Sequence, residues 1–239
     1  MPQTKANGIH LEYLSQGNPA NETILLIMGL GTQLTGWPDA LCDDLVALGY
    51  HVLRFDNRDI GLSARIDHAR APSVPLLAAL RTIGMNPRVP YTLDDMARDA
   101  AGLLDALRIS QAHVVGASMG GMIAQVFAAK YPERTLSLTS IMSTTGHRSL
   151  PRADREATRA LMLRPEDPSN TQSIIERNVK VRKALQSRTH PKTHEEIWET
   201  AAAAVERGGY EPDGVARQLG AIIAGRARRA LLREITVPS

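Results

Sequence analysis

The chain has 239 residues, 43% apolar and 22% charged, which is enough to bury a core of ordinary globular size. Its net charge of +3 is too small to indicate a nucleic-acid-binding surface, and no segment approaches the roughly 20 apolar residues of a membrane span. Cys42 is the single cysteine, which excludes an internal disulfide, and the first ten residues lack the apolar run of a signal peptide. We therefore expect a cytoplasmic protein.

Five segments have the apolar or alternating pattern of β-strands, and three have the spacing of amphipathic helices. The segment at 22–30 is a continuous apolar run, which indicates a strand covered on both faces. The helix at 91–109 begins with Thr92 and Asp95 at the spacing of a capping box. The predicted strands are 8–17, 22–30, 51–56, 111–118 and 135–143, and the predicted helices are 37–50, 91–109 and 119–132.

Strands and helices alternate from residue 22 to residue 143, and this alternation requires crossover connections between parallel strands. We therefore predict an α/β fold with a mostly parallel, doubly wound sheet. The segment 64–90 contains four prolines and is predicted to be an irregular excursion.

The strand patterns stop after Gly146, and the rest of the chain has only helical patterns. We divide the chain accordingly into an α/β core at 1–146 and a segment at 147–239, which is expected to form a helical cap over the core and then the run-in to the absent C-terminal part of the core. The predicted helices of this region are 152–164, 169–188, 193–208 and 212–232.

The most informative motif is HVVGASMGGMIAQ at 113–125, where Ser118 lies between Gly116 and Gly120 at a predicted strand-to-helix junction. So sharp a turn strains the central residue and exposes its side chain, and side chains two residues to either side would collide with it or with neighbouring backbone. Glycine removes those side chains. The arrangement predicts a nucleophilic Ser118, with the amide of Met119 at the helix N-terminus as an oxyanion donor.

A second glycine cluster, MGLGTQLTGW at 28–37, follows another predicted strand. It fails the dinucleotide fingerprint, because Leu34 stands where the third glycine is needed. It also fails the P-loop pattern, because Trp37 follows the last glycine where lysine is required. An exposed turn remains, and the amide of Leu30 is the second candidate oxyanion donor. The alternative is a turn without a role in binding.

These segments resemble the α/β-hydrolase family, and most closely the bacterial esterases of the aclacinomycin methylesterase type, which are relatives of proline iminopeptidases. The resemblance rests on ILLIMGLG, FDNRDIGLS, the helix at 91–109 and the segment around Ser118. It implies Ser118 as nucleophile, Leu30 and Met119 as oxyanion amides, and a small-molecule ester as substrate. No cofactor, metal, nucleic acid or membrane is expected. The charges of Asp56, Arg58 and Asp59 are interpreted as structural hydrogen-bonding partners.

A serine hydroxyl needs a histidine base and a carboxylate that orients the histidine, and in this family both follow the cap. Segment 231–239 resembles the approach to the strand that bears the acid, so we expect the acid and histidine beyond residue 239 and the last strand-helix units to be missing. His147 is the nearest substitute, but Ser143, Thr144 and Thr145 occupy the nearby positions where some relatives carry an acid. The chain is interpreted as a fragment, with natural truncation or a second polypeptide that completes the site as alternatives.

The predicted function is therefore a serine hydrolase of carboxylic esters that works through an acyl-enzyme at Ser118. Peptidase, acyltransferase and cofactor-free peroxidation chemistry are alternatives on the same scaffold. A non-catalytic ligand-binding or interaction protein is the alternative from another class.

Overall fold

The computed structural model describes residues 2–147, 149–151 and 154–239. The chain forms two compact units. One unit combines residues 1–148 with 211–239, and the other consists of residues 149–210.

One sheet of six strands forms the centre of the first unit, counted over the described residues. The strands are β1 (Gln3–Ala6), β2 (Ile9–Gln16), β3 (Thr23–Ile27), β4 (His51–Phe55), β5 (Ala112–Ala117) and β6 (Thr135–Ile141). Their order is β1-β2-β4-β3-β5-β6. β1 and β2 run antiparallel to their neighbours, whereas β4, β3, β5 and β6 are mutually parallel. The predicted mostly parallel α/β sheet is therefore confirmed.

Four helices accompany the sheet before residue 148. They are α1 (Asp39–Ala47), α2 (Val74–Thr82), α3 (Leu93–Ala106) and α4 (Met119–Lys130). Every residue of β3 and β4 is buried, as expected for parallel strands covered on both faces. The largest buried side chains include Phe55, Leu103 and Phe127, and each contributes about 1.5–3 kcal/mol when fully removed from water.

Local signals account for the helix starts. The capping box predicted for α3 is confirmed, since the Asp95 N–H donates to Thr92 Oγ1 and the Thr92 N–H donates to Asp95 Oδ2 at 2.8 Å.

The segment at 64–90, predicted to be irregular because of its four prolines, contains the helix α2. Pro75 lies in the first turn of α2, where the missing N–H leaves no intrahelical bond unmade.

The second unit is entirely helical in its described part. Its helices are α5 (Arg155–Leu161), α6 (Thr171–Leu185) and α7 (His194–Gly208), and the first two residues of the predicted helix 152–164 lie outside the described residues. Ile174, Ile175, Ile197 and Val205 form its own small apolar core. Whether this unit covers Ser118 stays a prediction.

Residues 211–239 belong to the same compact unit as the sheet, whereas the second unit ends at residue 210. This segment contains α8 (Pro212–Ala224) and α9 (Arg229–Leu232). Arg217 donates from Nε and Nη2 to the Asp59 carboxylate at 2.9 and 2.8 Å, and both side chains are almost fully buried. Further along, the Leu138 N–H donates to Pro238 O, so the last residues lie beside β6. The Arg217–Asp59 ion pair could not be predicted from the sequence, because its partners are 158 positions apart.

No helix among the described residues is long and apolar enough to span a membrane. The cytoplasmic location stays a prediction.

A buried histidine lies at the amino end of β4. His51 is 2% exposed and hydrogen-bonds to Ser15 Oγ at 2.7 Å and to Thr23 Oγ1 at 3.0 Å. Burial lowers the pKa of His51, because the imidazolium loses its hydration there. At a pH between the folded and unfolded pKa values of His51, its imidazole is therefore protonated in the unfolded chain and neutral in the folded chain.

We expect the free energy of unfolding to fall as the pH drops below about 6.5, the unfolded value for histidine, and to level off below the folded pKa of His51. The slope contributed by His51 is at most about 1.4 kcal/mol per pH unit. His51→Asn should flatten this slope, while His190→Asn, at an exposed histidine, should retain it. Urea unfolding midpoints between pH 7.5 and 5 measure the difference, and an unchanged slope in His51→Asn contradicts the prediction.

The Arg217–Asp59 pair supports a second prediction. Asp59→Asn should lower the free energy of unfolding by about 3–5 kcal/mol, because it removes the buried, hydrogen-bonded charge partner of the buried guanidinium. Asn suits the positive φ of 70° at this position, so backbone strain does not confound the result. Asp67→Asn is the matched control, since Asp67 lies 3.9 Å from Arg217 but its side chain is 79% exposed. The control should stay within about 0.5 kcal/mol of wild type in the same urea titration.

Candidate active site

Ser118 occupies the single residue between β5 and α4. It has φ 55° and ψ −115°, a combination outside the regions that L-residues favour, so the predicted strained strand-to-helix turn is confirmed. Such strain costs about 1–3 kcal/mol and persists only where surrounding bonds enforce it. The Ser118 N–H donates to Ile141 O at 2.9 Å, and its carbonyl accepts from Met122 N–H and from Ser143 Oγ.

The side chain of Ser118 is half-buried, and none of the described residues hydrogen-bonds to its Oγ. The Met119 N–H belongs to the first turn of α4, where backbone donors have no partner within the helix. The dipole of the helix adds a partial positive charge at the same end. The hydroxyl therefore sits at a helix terminus that favours negative charge.

The glycines around Ser118 are required by close backbone approach. A β-carbon at Gly116 would overlap the carbonyl of Gly120, and one at Gly120 would overlap the carbonyl of Ile27 at the end of β3. A β-carbon at Gly121 would lie 2.6 Å from Ser143 Cβ. Two of these three obstacles are backbone atoms, which cannot rotate away. The physical reason predicted for the glycines is therefore confirmed.

The turn after β3 lies against Ser118. A β-carbon at Gly29 would be 3.2 Å from Ser118 Cβ and from Ala117 O. The Thr32 N–H donates to Gly29 O at 3.2 Å, and Gly31 has φ 64°, which is the pattern of a type II turn with Leu30 and Gly31 at its centre.

The Leu30 N–H makes no hydrogen bond to the described part of the chain. The backbone N–H groups of Leu30 and Met119 thus both lack an acceptor among the described residues. The segments that carry them meet at Ser118. That the two amides converge on one oxygen position stays a prediction.

Three side chains from outside this turn hold the segment 28–34 in place. Asn57 Nδ2 donates to Met28 O at 2.9 Å. Asp56 Oδ1 accepts from Leu34 N–H at 2.7 Å. Gln218 Oε1 accepts from Gly31 N–H at 2.9 Å. No sequence pattern shows that Asn57 and Gln218 support this turn, because a side chain that holds a distant turn has no motif of its own.

The charges of the loop after β4 are structural, as interpreted from the sequence. Arg58 forms two bonds of 2.6 Å to the Asp99 carboxylate on α3, and its guanidinium lies 5.0 Å from the centre of the Tyr91 ring. Burial, reinforced by the carboxylate of Asp59, raises the pKa of Tyr91, so its hydroxyl stays neutral. Asp56, Arg58 and Asp59 are all buried and hydrogen-bonded within the loop or to its supports.

Two histidines of the sheet lie at the edge opposite Ser118. His51 begins β4, and His113 is the second residue of β5, where its ring hydrogen-bonds to Ser137 Oγ at 2.8 Å. Ser118 follows His113 by five steps along the extended chain, a distance of about 16 Å. A cavity of 520 Å³ lies at the same amino edge, lined by Ser15 and His51 among others, and Ser118 is not among its lining residues.

Comparison with known proteins places these features in a family. A model of the family described as alpha/beta hydrolase fold matches residues 22–190. Rhodomycin D methylesterase of Streptomyces peucetius is 38% identical over 126 residues, which cover 53% of this chain and 36% of that enzyme. A putative carbamate hydrolase of Pantoea ananatis is 30% identical over 155 residues, 65% of this chain and 48% of that protein. The chain thus spans about a third to a half of the length of these relatives.

Solved structures agree on the fold. An enol-lactonase from Burkholderia xenovorans LB400 superposes with a TM-score of 0.68 at 21% identity, over 99% of this chain and 78% of that one. A thermophilic esterase from Thermogutta terrifontis gives a TM-score of 0.65 at 23% identity, over 100% and 78%. The resemblance predicted from the sequence is therefore confirmed, and the chain belongs to the alpha/beta hydrolase fold family.

Proposed function

We propose that the protein is a serine hydrolase of carboxylic esters, with Ser118 as the nucleophile of a nucleophile elbow. The single observation that carries the proposal is the strained Ser118 at the N-terminus of α4, with the Gly29 turn packed against it. A structural serine does not require a backbone conformation that costs about 1–3 kcal/mol. The similarity to a methylesterase supports a carboxylic ester as the substrate class.

The reaction proceeds by acyl transfer. Ser118 Oγ attacks the ester carbonyl carbon and gives up its proton to a base, and the carbonyl oxygen becomes an oxyanion. The amides of Leu30 and Met119 donate to that oxyanion from about 3 Å. The C–O bond to the alcohol then breaks, the alcohol leaves with a proton, and water hydrolyses the acyl-serine to release the acid and restore the hydroxyl.

The base and its carboxylate are proposed to come from polypeptide beyond residue 239 or from a second polypeptide. Support comes from the hydrogen bonds in the described residues, where Ser118 Oγ has no partner and His51 and His113 are bonded at the opposite edge of the sheet. The edge of β6 offers a place for a further strand, because Thr139, Ser140 and Ile141 are exposed there. The helical unit is proposed to form the cap that shapes the acyl and alcohol sites.

In the form of the protein that includes the base, Ser118→Ala should abolish covalent labelling by a fluorophosphonate. It should also lower hydrolysis of p-nitrophenyl acetate and of aryl methyl esters to the residual rate that an oxyanion hole alone supports. The matched controls are Ser15→Ala and Ser137→Ala, which remove the serines that do hydrogen-bond to a histidine. Both controls should keep the wild-type rate. Labelling that persists in Ser118→Ala, or disappears in either control, places the nucleophile elsewhere. Tight ester binding without labelling or turnover in any form of the protein indicates the alternative, a non-catalytic binding protein.

The 239-residue chain alone should hydrolyse esters only slowly, because an oxyanion hole without a base retains roughly 10³–10⁴-fold catalysis over water in serine proteases. A longer chain, or an added C-terminal polypeptide, should raise the rate constant for p-nitrophenyl acetate by at least tenfold. Efficient turnover by the 239 residues that is lost in His147→Ala contradicts this source of the base.

A further inference from the structure

Helix α8 approaches the turn at Gly29–Gly31 closely enough for side-chain contact. A β-carbon at Gly31 would lie 3.1 Å from Val215 Cγ2. On the same helix, a β-carbon at Gly214 would overlap the Asp59 carbonyl, so glycine at this position allows the close packing. The Arg217–Asp59 ion pair then fixes the position of α8 along the loop after β4.

Gln218 follows Arg217 and is completely buried. Its Oε1 accepts from the Gly31 N–H at 2.9 Å, and its Nε2 donates to Arg58 O at 2.9 Å. One side chain therefore joins the turn after β3 to the loop after β4. Burying an amide side chain without partners costs about 1–3 kcal/mol, so both bonds are needed to keep it there.

The three backbone amides of the turn differ in whether they have a hydrogen-bond partner among the described residues. The Thr32 N–H is taken by Gly29 O, and the Gly31 N–H is taken by Gln218, while the Leu30 N–H remains open. Gln218 also holds the central peptide plane of the turn, since that plane carries the Gly31 N–H and the Leu30 carbonyl. A type I turn would rotate this plane by about half a turn and direct the Gly31 N–H away from Gln218.

We propose that Gln218 is a positioning residue for catalysis: it holds the turn so that Leu30, and not Gly31, presents its amide to the oxyanion. The inference rests on the proposed function of Ser118. It adds a residue 187 positions away in sequence from the turn that it holds. Oxyanion stabilisation depends on donors that are already in place. A turn that is free to change its conformation therefore loses more stabilisation of the transition state than of the bound ester.

Gln218→Met is the main test, because methionine has a similar volume but neither bond. In the form of the protein that includes the base, hydrogen exchange of the Gly31 amide measured by NMR should accelerate at least about tenfold in Gln218→Met. The kcat for p-nitrophenyl acetate should fall about 10- to 100-fold with KM within about twofold, as expected when a donor is misplaced by a fraction of an ångström.

Gln125→Met is the matched control. Gln125 is also buried, donates to Ser140 Oγ at 3.0 Å and accepts from Arg228 Nε at 3.1 Å, so its loss removes a comparable pair of bonds. This variant should leave the exchange of the Gly31 amide and kcat within about twofold of wild type, even where it lowers stability equally. Equal losses of kcat in Gln125→Met and Gln218→Met, in proportion to lost stability, overturn the positioning role.

Gln218→Glu supplies the rescue. Its carboxylate can accept from the Gly31 N–H, but it donates to Arg58 O only when protonated, which burial favours. Its kcat should therefore lie between those of wild type and Gln218→Met, and the deficit should narrow as the pH falls. A Gln218→Glu deficit equal to that of Gln218→Met at every pH overturns the proposal.

Hydrogen exchange of the Gly31 amide tests whether Gln218 holds the turn, and kcat tests whether that hold matters for ester hydrolysis. Unchanged exchange of the Gly31 amide in Gln218→Met refutes the positioning role whatever the activity. Accelerated exchange with an unchanged kcat also refutes it. If Ser118→Ala retains the wild-type rate, the hydrolase proposal fails and Gln218 loses its catalytic role, while the exchange data still report its hold on the turn.

Discussion

The close approach of α4 to the carboxyl ends of β3 and β5 is the constraint on which the candidate site depends. Gly116 and Gly120 allow backbone to lie against backbone where any β-carbon would overlap a carbonyl. Because the chain passes from strand to helix in one residue, Ser118 is forced to a positive φ and its side chain is directed out of the turn. The same approach brings the first amides of α4 beside the turn that follows β3.

Buried polar contacts, rather than apolar packing alone, fix the loops around this point. The loop after β4 is tied to α3 through Arg58 and Asp99, and to α8 through Asp59 and Arg217. A buried charge is expensive unless it is paired in good geometry, so each pair permits few alternative arrangements. From this rigid loop Asn57 and Asp56 reach back to the turn that carries Leu30. The position of the turn that carries Leu30 thus depends on the ion pairs that hold the loop after β4.

The two edges of the parallel sheet have different chemistry. The amino edge has histidines that are satisfied by serine and threonine hydroxyls, and their hydrogen bonds stabilise strand ends. The carboxyl edge has the strained serine and open amides, as is general for ligand sites in α/β sheets. A serine–histidine hydrogen bond is therefore not the basis for a candidate nucleophile here; the proposal for Ser118 rests on backbone strain at a helix N-terminus.

The amino-acid sequence by itself determined the strand and helix order, the mostly parallel sheet, the capping box of α3 and the strained turn at Ser118. These follow from local chemistry: apolar periodicity, the hydroxyl of Thr92 and the absence of β-carbons at Gly116 and Gly120. It did not indicate β1, a strand of four residues at the edge of the sheet, or α2 within a proline-rich segment. Short elements of this kind are stabilised by their neighbours more than by their own residues.

Only the tertiary structure decided that α8 belongs to the same compact unit as the sheet and that Gln218 bonds to Gly31. Glutamine on an amphipathic helix has no sequence pattern that separates a solvent-facing side chain from a buried support. Its partner is specified by how α8 packs against the loop after β4, which depends on the Arg217–Asp59 pair and the space left at Gly214. Local patterns identify the residues that must adopt an unusual conformation, whereas long-range packing selects the residues that hold them there.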